Sequence, residues 1–284
     1  MSRKHLLLAL PLLATLLAPQ PARAAAQRYV ALGDSYVAGA LIGHPVGSPA
    51  LCLRTDGNYP HRLARALGIG DLADASCSSA ETIHLTQPQP MPGGLGQAPP
   101  QFDALDEATT LVTIGIGAND IKLLDVISTC ATLSALDALG SPCTKHFTSG
   151  GVDQLQQRID AMAPKIGAAL QEIHARAPGA RVLVVGYLTV FPPRYGCWPA
   201  VPVAVGDIPY LYGKQAAMND LLAAQAAANG AGFVDVDAAR RDVCQMPWRR
   251  WVEPVVPVSP ATPFHPNGAG MQAVTDRILA GLAA

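Results

Sequence analysis

Four short apolar runs recur along the chain, at 29–32, 111–116, 182–185 and 233–236, and each stops at Gly or Asp. A fifth, weaker run lies at 71–76. Runs this short and this continuous fit strands buried on both faces, because a half-exposed strand would alternate apolar with polar residues. Helical patterns lie between them. Leu155, Ile159, Met162, Ile166, Leu170 and Ile173 step by three or four across 151–177 and trace one face. Pro164 should kink that helix or mark a break between two shorter ones. An Ala-rich helix is expected over 211–228, closed by Asn229-Gly230, and a last one over 267–283 with Asn267 as its cap. Strands alternating with helices pair in parallel, so the fold class expected is α/β. The architecture expected is a three-layer α/β/α sandwich around a central, roughly five-stranded parallel sheet. Sites in such sheets gather at the carboxyl ends of the strands.

Residues 1–24 read as an export signal. Arg3 and Lys4 give a positive start, 6–17 is an apolar run too short to span a bilayer, and Ala22-Arg23-Ala24 is a small-x-small cleavage site. Cleavage as late as residue 26 fits nearly as well. The remaining 27–284, about 260 residues, carry no linker, repeat or low-complexity tract and are expected to form a single domain. No later stretch is apolar for long enough to cross a membrane, so a protein released outside the cell or into a periplasm is expected, without membrane insertion and as a monomer. The formal net charge is −1 and no polybasic cluster occurs. That balance argues against nucleic acid and against docking on anionic lipid, and points to an uncharged or modestly charged small substrate.

Six cysteines in an exported chain suggest three disulfides. Fifteen pairings are open on sequence alone. The sequential one, Cys52–Cys77, Cys130–Cys143 and Cys197–Cys244, joins neighbours along the chain and is the pairing expected here, each bridge contributing roughly 2–4 kcal/mol. No C-x-x-C pair or nearby histidine offers zinc-ligand spacing, so no metal site is expected. Three stretches, 121–150, 187–210 and 238–264, read as loop-rich excursions. The last carries Trp248, Trp251, Val255, Val256 and Val258, which could wall a pocket, touch a lipid surface or merely cover the sheet.

Three short motifs fall at the edges of these elements. Gly33-Asp34-Ser35-Tyr36 follows the first strand, Gly117-Ala118-Asn119-Asp120 follows the 111–116 strand, and His265-Pro266-Asn267 opens the last helix. Each has a bland explanation: Gly, Asp and Ser shape turns, and Asn caps helices. Together they offer a hydroxyl nucleophile, an imidazole base and an amide donor for an oxyanion.

In this order the three motifs resemble blocks I, III and V of the SGNH (GDSL) hydrolases, and the resemblance runs from Tyr29 to the last helix. It takes in Asp74-x-Ser76-Cys77-Ser78-Ser79-Ala80 and the cysteine placement, a layout most like the secreted, three-disulfide actinobacterial lipases and esterases of the family. The resemblance implies a flavodoxin-like sandwich and a carboxylic-ester hydrolase working through an acyl-enzyme, with no metal or organic cofactor. Phospholipid acyl hydrolysis or carbohydrate deacetylation are the alternatives within the family, and a non-catalytic binding module is a third class. Carried over by position, Ser35 is the nucleophile, His265 the base, and the backbone N–H of Ser35, the backbone N–H of Ser79 and the Asn119 amide form the oxyanion hole. Two departures stand out. Ser79 occupies a place usually held by glycine. Thr262 occupies the place, three before the histidine, where many relatives carry aspartate. The main-chain carbonyl of Thr262 is therefore expected to orient His265, with Asp237 or Asp242 as the alternative.

Overall fold

The computed structural model describes residues 27–283. The export signal expected over 1–24 lies outside the described residues. Five parallel strands form the central sheet: β1 (Arg28–Gly33), β2 (Asp71–Asp74), β5 (Leu111–Gly115), β6 (Arg181–Val185) and β7 (Gly232–Val234), in the order β2-β1-β5-β6-β7. β3 (Gln89–Pro90) and β4 (Gln97–Ala98) make a separate two-stranded ribbon. Tyr29 to Leu32 and Val112 are wholly shielded from water, as strands covered on both faces must be. β1 pairs with β5 from Tyr29↔Leu111 to Gly33↔Gly115. The strand order reverses between these two, and in an open parallel sheet the crevice beyond such a reversal is where ligands bind.

The helices are α1 (Ser35–Ala38), α2 (Tyr59–Leu67), α3 (Leu123–Ser134), α4 (Pro142–Phe147), α5 (Gln154–Asp160), α6 (Ala163–Arg176), α7 (Ile208–Ala228) and α8 (Gly268–Ala283). α2 packs against α8, while α5 and α6 pack against α7, forming the two outer layers. The 151–177 pattern is two helices, broken at Ala161-Met162 so that Pro164 sits in the first turn of α6, where its missing N–H costs nothing. Asn267 caps α8, accepting from the N–H groups of Ala269 and Gly270 at 3.0 Å.

Residues 121–150 are more regular than the loop-rich reading allows, since α3 and α4 lie within them. α3 buries Val126, Ile127 and Cys130 but also holds Leu124 out in solvent, so its apolar residues mark no single stripe. α2 escapes the apolar pattern because arginines and a histidine fill most of its outward positions; Asn58, accepting from the His61 N–H, starts it. Disulfides join Cys52 to Cys77, Cys130 to Cys143 and Cys197 to Cys244. They tie, in turn, the loop after α1 to the segment after β2, α3 to α4, and the loop after β6 to the loop after β7.

Candidate active site

The carboxyl ends of β1 and β5 set the site. Gly33 ends β1 at φ +149°, and a Cβ there would stand 2.4 Å from the Gly115 carbonyl oxygen, so only glycine fits. The buried Gln101 amide holds both backbone groups of Gly33, accepting at 2.7 Å and donating at 2.9 Å. Asp34 caps the short turn α1 by accepting from the Tyr36 N–H at 2.9 Å. Ser35 is thereby lifted onto the rim of the sheet.

His265 arrives from the far end of the chain. Its Nε2 lies 2.7 Å from Ser35 Oγ, and its Nδ1 lies 2.7 Å from the carbonyl oxygen of Pro263. A carbonyl can only accept, so Nδ1 carries the proton and Nε2 presents a lone pair to the serine hydroxyl. Burial pulls the imidazole below its ordinary pKa and outweighs the Pro263 carbonyl, which pulls the other way, so the ring is neutral near pH 7. A neutral imidazole within hydrogen-bond reach of a hydroxyl can take its proton during attack.

The orienting carbonyl is not that of Thr262. The Thr262 oxygen accepts the backbone N–H of His265 at 3.2 Å, which turns the chain tightly and leaves the Pro263 oxygen facing the ring. Neither alternative aspartate reaches the histidine. Asp237 accepts from the Thr189 hydroxyl, and Asp242 caps the Cys244 N–H and holds the Gln245 amide. The 262–267 loop is pinned from two sides. Phe264, left-handed at φ +61°, donates its N–H to the Glu253 carbonyl and accepts the Tyr36 hydroxyl at 2.6 Å. The buried Glu253 side chain pairs with Arg250 at 2.6 Å and accepts from Asn267 at 2.8 Å. Burial pushes that carboxyl up, but the Arg250 guanidinium and the Asn267, Val258 and Ser259 N–H groups outweigh it and hold it below the usual carboxylate range.

Asn119 does not cap a helix. Its amide donates to the Ala80 carbonyl at 2.9 Å, leaving its second N–H for a ligand, and Asp120 accepts from the N–H and hydroxyl of Thr82. These bonds lock the 79–82 segment to the end of β5. Ser79 holds a left-handed backbone at φ +64°, the conformation that favours glycine. Ser35, Ser79, Asn119, Thr262 and His265 all line one cavity of about 520 Å³. Its remaining wall is mainly aliphatic, including Leu53, Leu124, Ile127, Ala131, Val203 and Val255. Val255 thus joins the wall, whereas Trp248 stands in solvent and Trp251 packs its ring under the Arg241 guanidinium at 5.0 Å.

Sequence reading missed Tyr187, just beyond β6. Its buried hydroxyl donates to Asp34 Oδ2 at 2.5 Å and accepts the Ala118 N–H at 3.1 Å. One oxygen therefore joins the residue before Ser35 to the residue before Asn119. Burial pushes the Asp34 carboxyl up to about 7, with the Tyr187 hydroxyl and the Tyr36 N–H opposing. The only signal was position, a polar residue at the carboxyl edge of a predicted strand.

Residues 31–273 match the GDSL-like Lipase/Acylhydrolase family. Lipase 2 of Streptomyces coelicolor is 36% identical over 257 residues, covering 88% of this chain and 84% of the relative. A crystal structure of phospholipase A1 from Streptomyces albidoflavus superposes with a TM-score of 0.72 at 25% identity, over 90% of this chain and 99% of that one. That of an extracellular lipase from Streptomyces rimosus gives 0.64 at 25% identity over the same shares. The family match spans both strand edges that carry the site, and the chain belongs to the GDSL-like lipases and acylhydrolases, as a carboxylic-ester hydrolase.

Proposed function

We propose that this protein is an exported lipase or esterase that cleaves acyl esters through a covalent acyl-serine, with Ser35 as nucleophile and His265 as base. The observation that carries the reading is the run Ser35 Oγ, His265 Nε2, His265 Nδ1, Pro263 O, with 2.7 Å at each polar contact, beside an aliphatic cavity. Ser35 Oγ attacks the ester carbonyl while His265 Nε2 takes its proton. The tetrahedral oxygen is received by the N–H groups of Ser35 and Ser79 and the free N–H of Asn119. His265 returns the proton to the departing alcohol, and water repeats the sequence on the acyl-enzyme. The Pro263 carbonyl fixes the tautomer and direction of the ring, and it stabilises the imidazolium less than a carboxylate would.

The cavity wall favours an aliphatic acyl chain over an acetylated saccharide, because it offers few polar groups to hold sugar hydroxyls. Export follows from the residue 1–24 segment, and the disulfides fit an oxidising compartment. Hydrolysis of esters of graded acyl length, beside acetylated xylan, tests the assignment with Ser35→Ala as the blank. Turnover of medium-length acyl esters lost in Ser35→Ala is expected. Undiminished turnover by Ser35→Ala, or cleavage confined to acetylated saccharides, would overturn it.

A further inference from the structure

The mouth of the cavity is built from backbone conformations that side chains avoid. Among the described residues, the non-glycine positions at left-handed φ are Leu41 (+69°), Leu53 (+57°), Ser79 (+64°), Lys122 (+58°), Arg240 (+62°) and Phe264 (+61°). Leu53, Ser79 and Phe264 line the cavity, Leu41 follows the lining residue Ala40, and Lys122 lies two residues before the lining residue Leu124. Only Arg240 belongs elsewhere. A leucine in this conformation is strained, and strain of this kind collects where a site requires it.

The same leucines are also held in water. Leu41 is 64% exposed, Leu53 45% and Leu124 52%, while Val255, another lining residue, is 38% and its neighbour Val256 75%. Isolated exposed apolar residues need no account, but several around one opening mark a contact surface. They are presented rigidly, since Leu53 follows a disulfide-linked cysteine and Leu124 belongs to the disulfide-anchored α3. Charge is sparse here. The cavity lining holds no Asp, Glu, Lys or Arg, and the nearby Lys122 is engaged by Glu81 at 2.5 Å.

We propose that Leu41, Leu53, Leu124, Val255 and Val256 form a docking rim that seats the cavity mouth on the surface of an aggregated, uncharged acyl ester, such as a triacylglycerol droplet. The rim is continuous with the wall of the acyl cavity, so a chain leaving the droplet stays in apolar surroundings until its carbonyl meets Ser35. The proposal rests on the ester-hydrolase reading above. An anionic membrane is disfavoured because the cavity lining offers no Lys or Arg and the nearby Lys122 is paired with Glu81.

The test uses Leu41→Asn combined with Val256→Ser, two positions outside the cavity wall. Adsorption to a trioctanoin emulsion is measured by flotation in a Ser35→Ala background, so that no substrate is consumed. Adsorption should weaken by about tenfold or more, given the apolar area removed from the contact. In the active background, hydrolysis of dissolved p-nitrophenyl acetate should be unchanged. Asparagine adopts left-handed backbone more readily than leucine, so Tm should hold or rise, where residues kept for packing would lower it. Equal adsorption of parent and variant would overturn the proposal. So would adsorption only to phosphatidylglycerol vesicles that salt removes, or equal losses on dissolved and emulsified esters. Because flotation needs no turnover, an inactive wild type would sink the hydrolase reading while this measurement still decided the rim.

Discussion

Replacing Tyr187 with phenylalanine deletes one oxygen at the point where two loops of the site meet. The ring still fills its place against Tyr36, whose centroid lies 5.0 Å away, so no cavity opens. The Ala118 N–H loses its acceptor and the buried Asp34 carboxyl loses a donor. An orphaned buried N–H costs about 1–3 kcal/mol. Taking about 2 kcal/mol, Tm should fall by roughly 4–8 °C in a domain of this size. The larger effect is expected on catalysis. Ser35 and Asn119 lose the bond that fixes their spacing, and misplacement by even a fraction of an ångström at a reacting centre lowers rate steeply, so kcat should drop roughly 10–100-fold. KM for a soluble ester should stay within about twofold, because Tyr187 is not among the residues lining the acyl cavity. Losing a group that opposes its upward shift moves the Asp34 pKa higher still. In parent and variant alike folded protein binds the Asp34 proton more tightly than unfolded protein does, so the stability that proton adds is full below the unfolded carboxylate range and is lost as pH rises, up to about 7 in the parent and further upward in the variant. Steady-state kinetics and thermal melts at pH 5 and pH 8 read all of this. A folded Tyr187→Phe with unchanged kcat and a lowered Tm would refute the reasoning, since the hydroxyl would then serve stability alone.

Further outcomes follow from the same geometry. Burial depresses the His265 pKa, so kcat/KM should lose activity only below the ordinary histidine range near 6.5 as the ring gains a proton; a pH profile falling well above that value would contradict the shift. Asn119→Ala should lower kcat by about 10²–10³, read on a soluble ester, while Ser35 still reacts with a fluorophosphonate. Ser79→Gly should relieve the left-handed strain and raise stability by about 1 kcal/mol in denaturant unfolding, with the backbone donor retained. Thr262→Ala should leave kcat within about threefold, because only its backbone oxygen is used in the turn.

The sheet was legible because each strand is shielded on both faces and its apolar run says so directly. The ends moved slightly: 233–236 is strand only through Val234, since Val236 is buried outside the ladder. Ser35, Asn119 and His265 were legible because their flanking residues shape the turns that carry them, and turn chemistry is local. The orienting carbonyl was not. Whether the oxygen of Thr262 or of Pro263 faces the imidazole depends on the left-handed turn at Phe264, held by the backbone of Glu253 and by the Tyr36 hydroxyl, which lies 228 residues away in sequence. Tyr187 was hidden for the same reason: its partners lie 153 and 69 residues away. The helix at Leu123–Ser134 was hidden because one of its leucines serves the cavity mouth and blurs the buried stripe.

The most direct measurement of the proposed chemistry is intact mass of the oxidised protein after exposure to a fluorophosphonate ester. One adduct is expected, mapped by peptide fragmentation to Ser35, and absent from Ser35→Ala protein of equal Tm. Persistence of the adduct in Ser35→Ala, or no adduct on folded wild-type protein, would contradict the assignment of Ser35 and His265 as nucleophile and base.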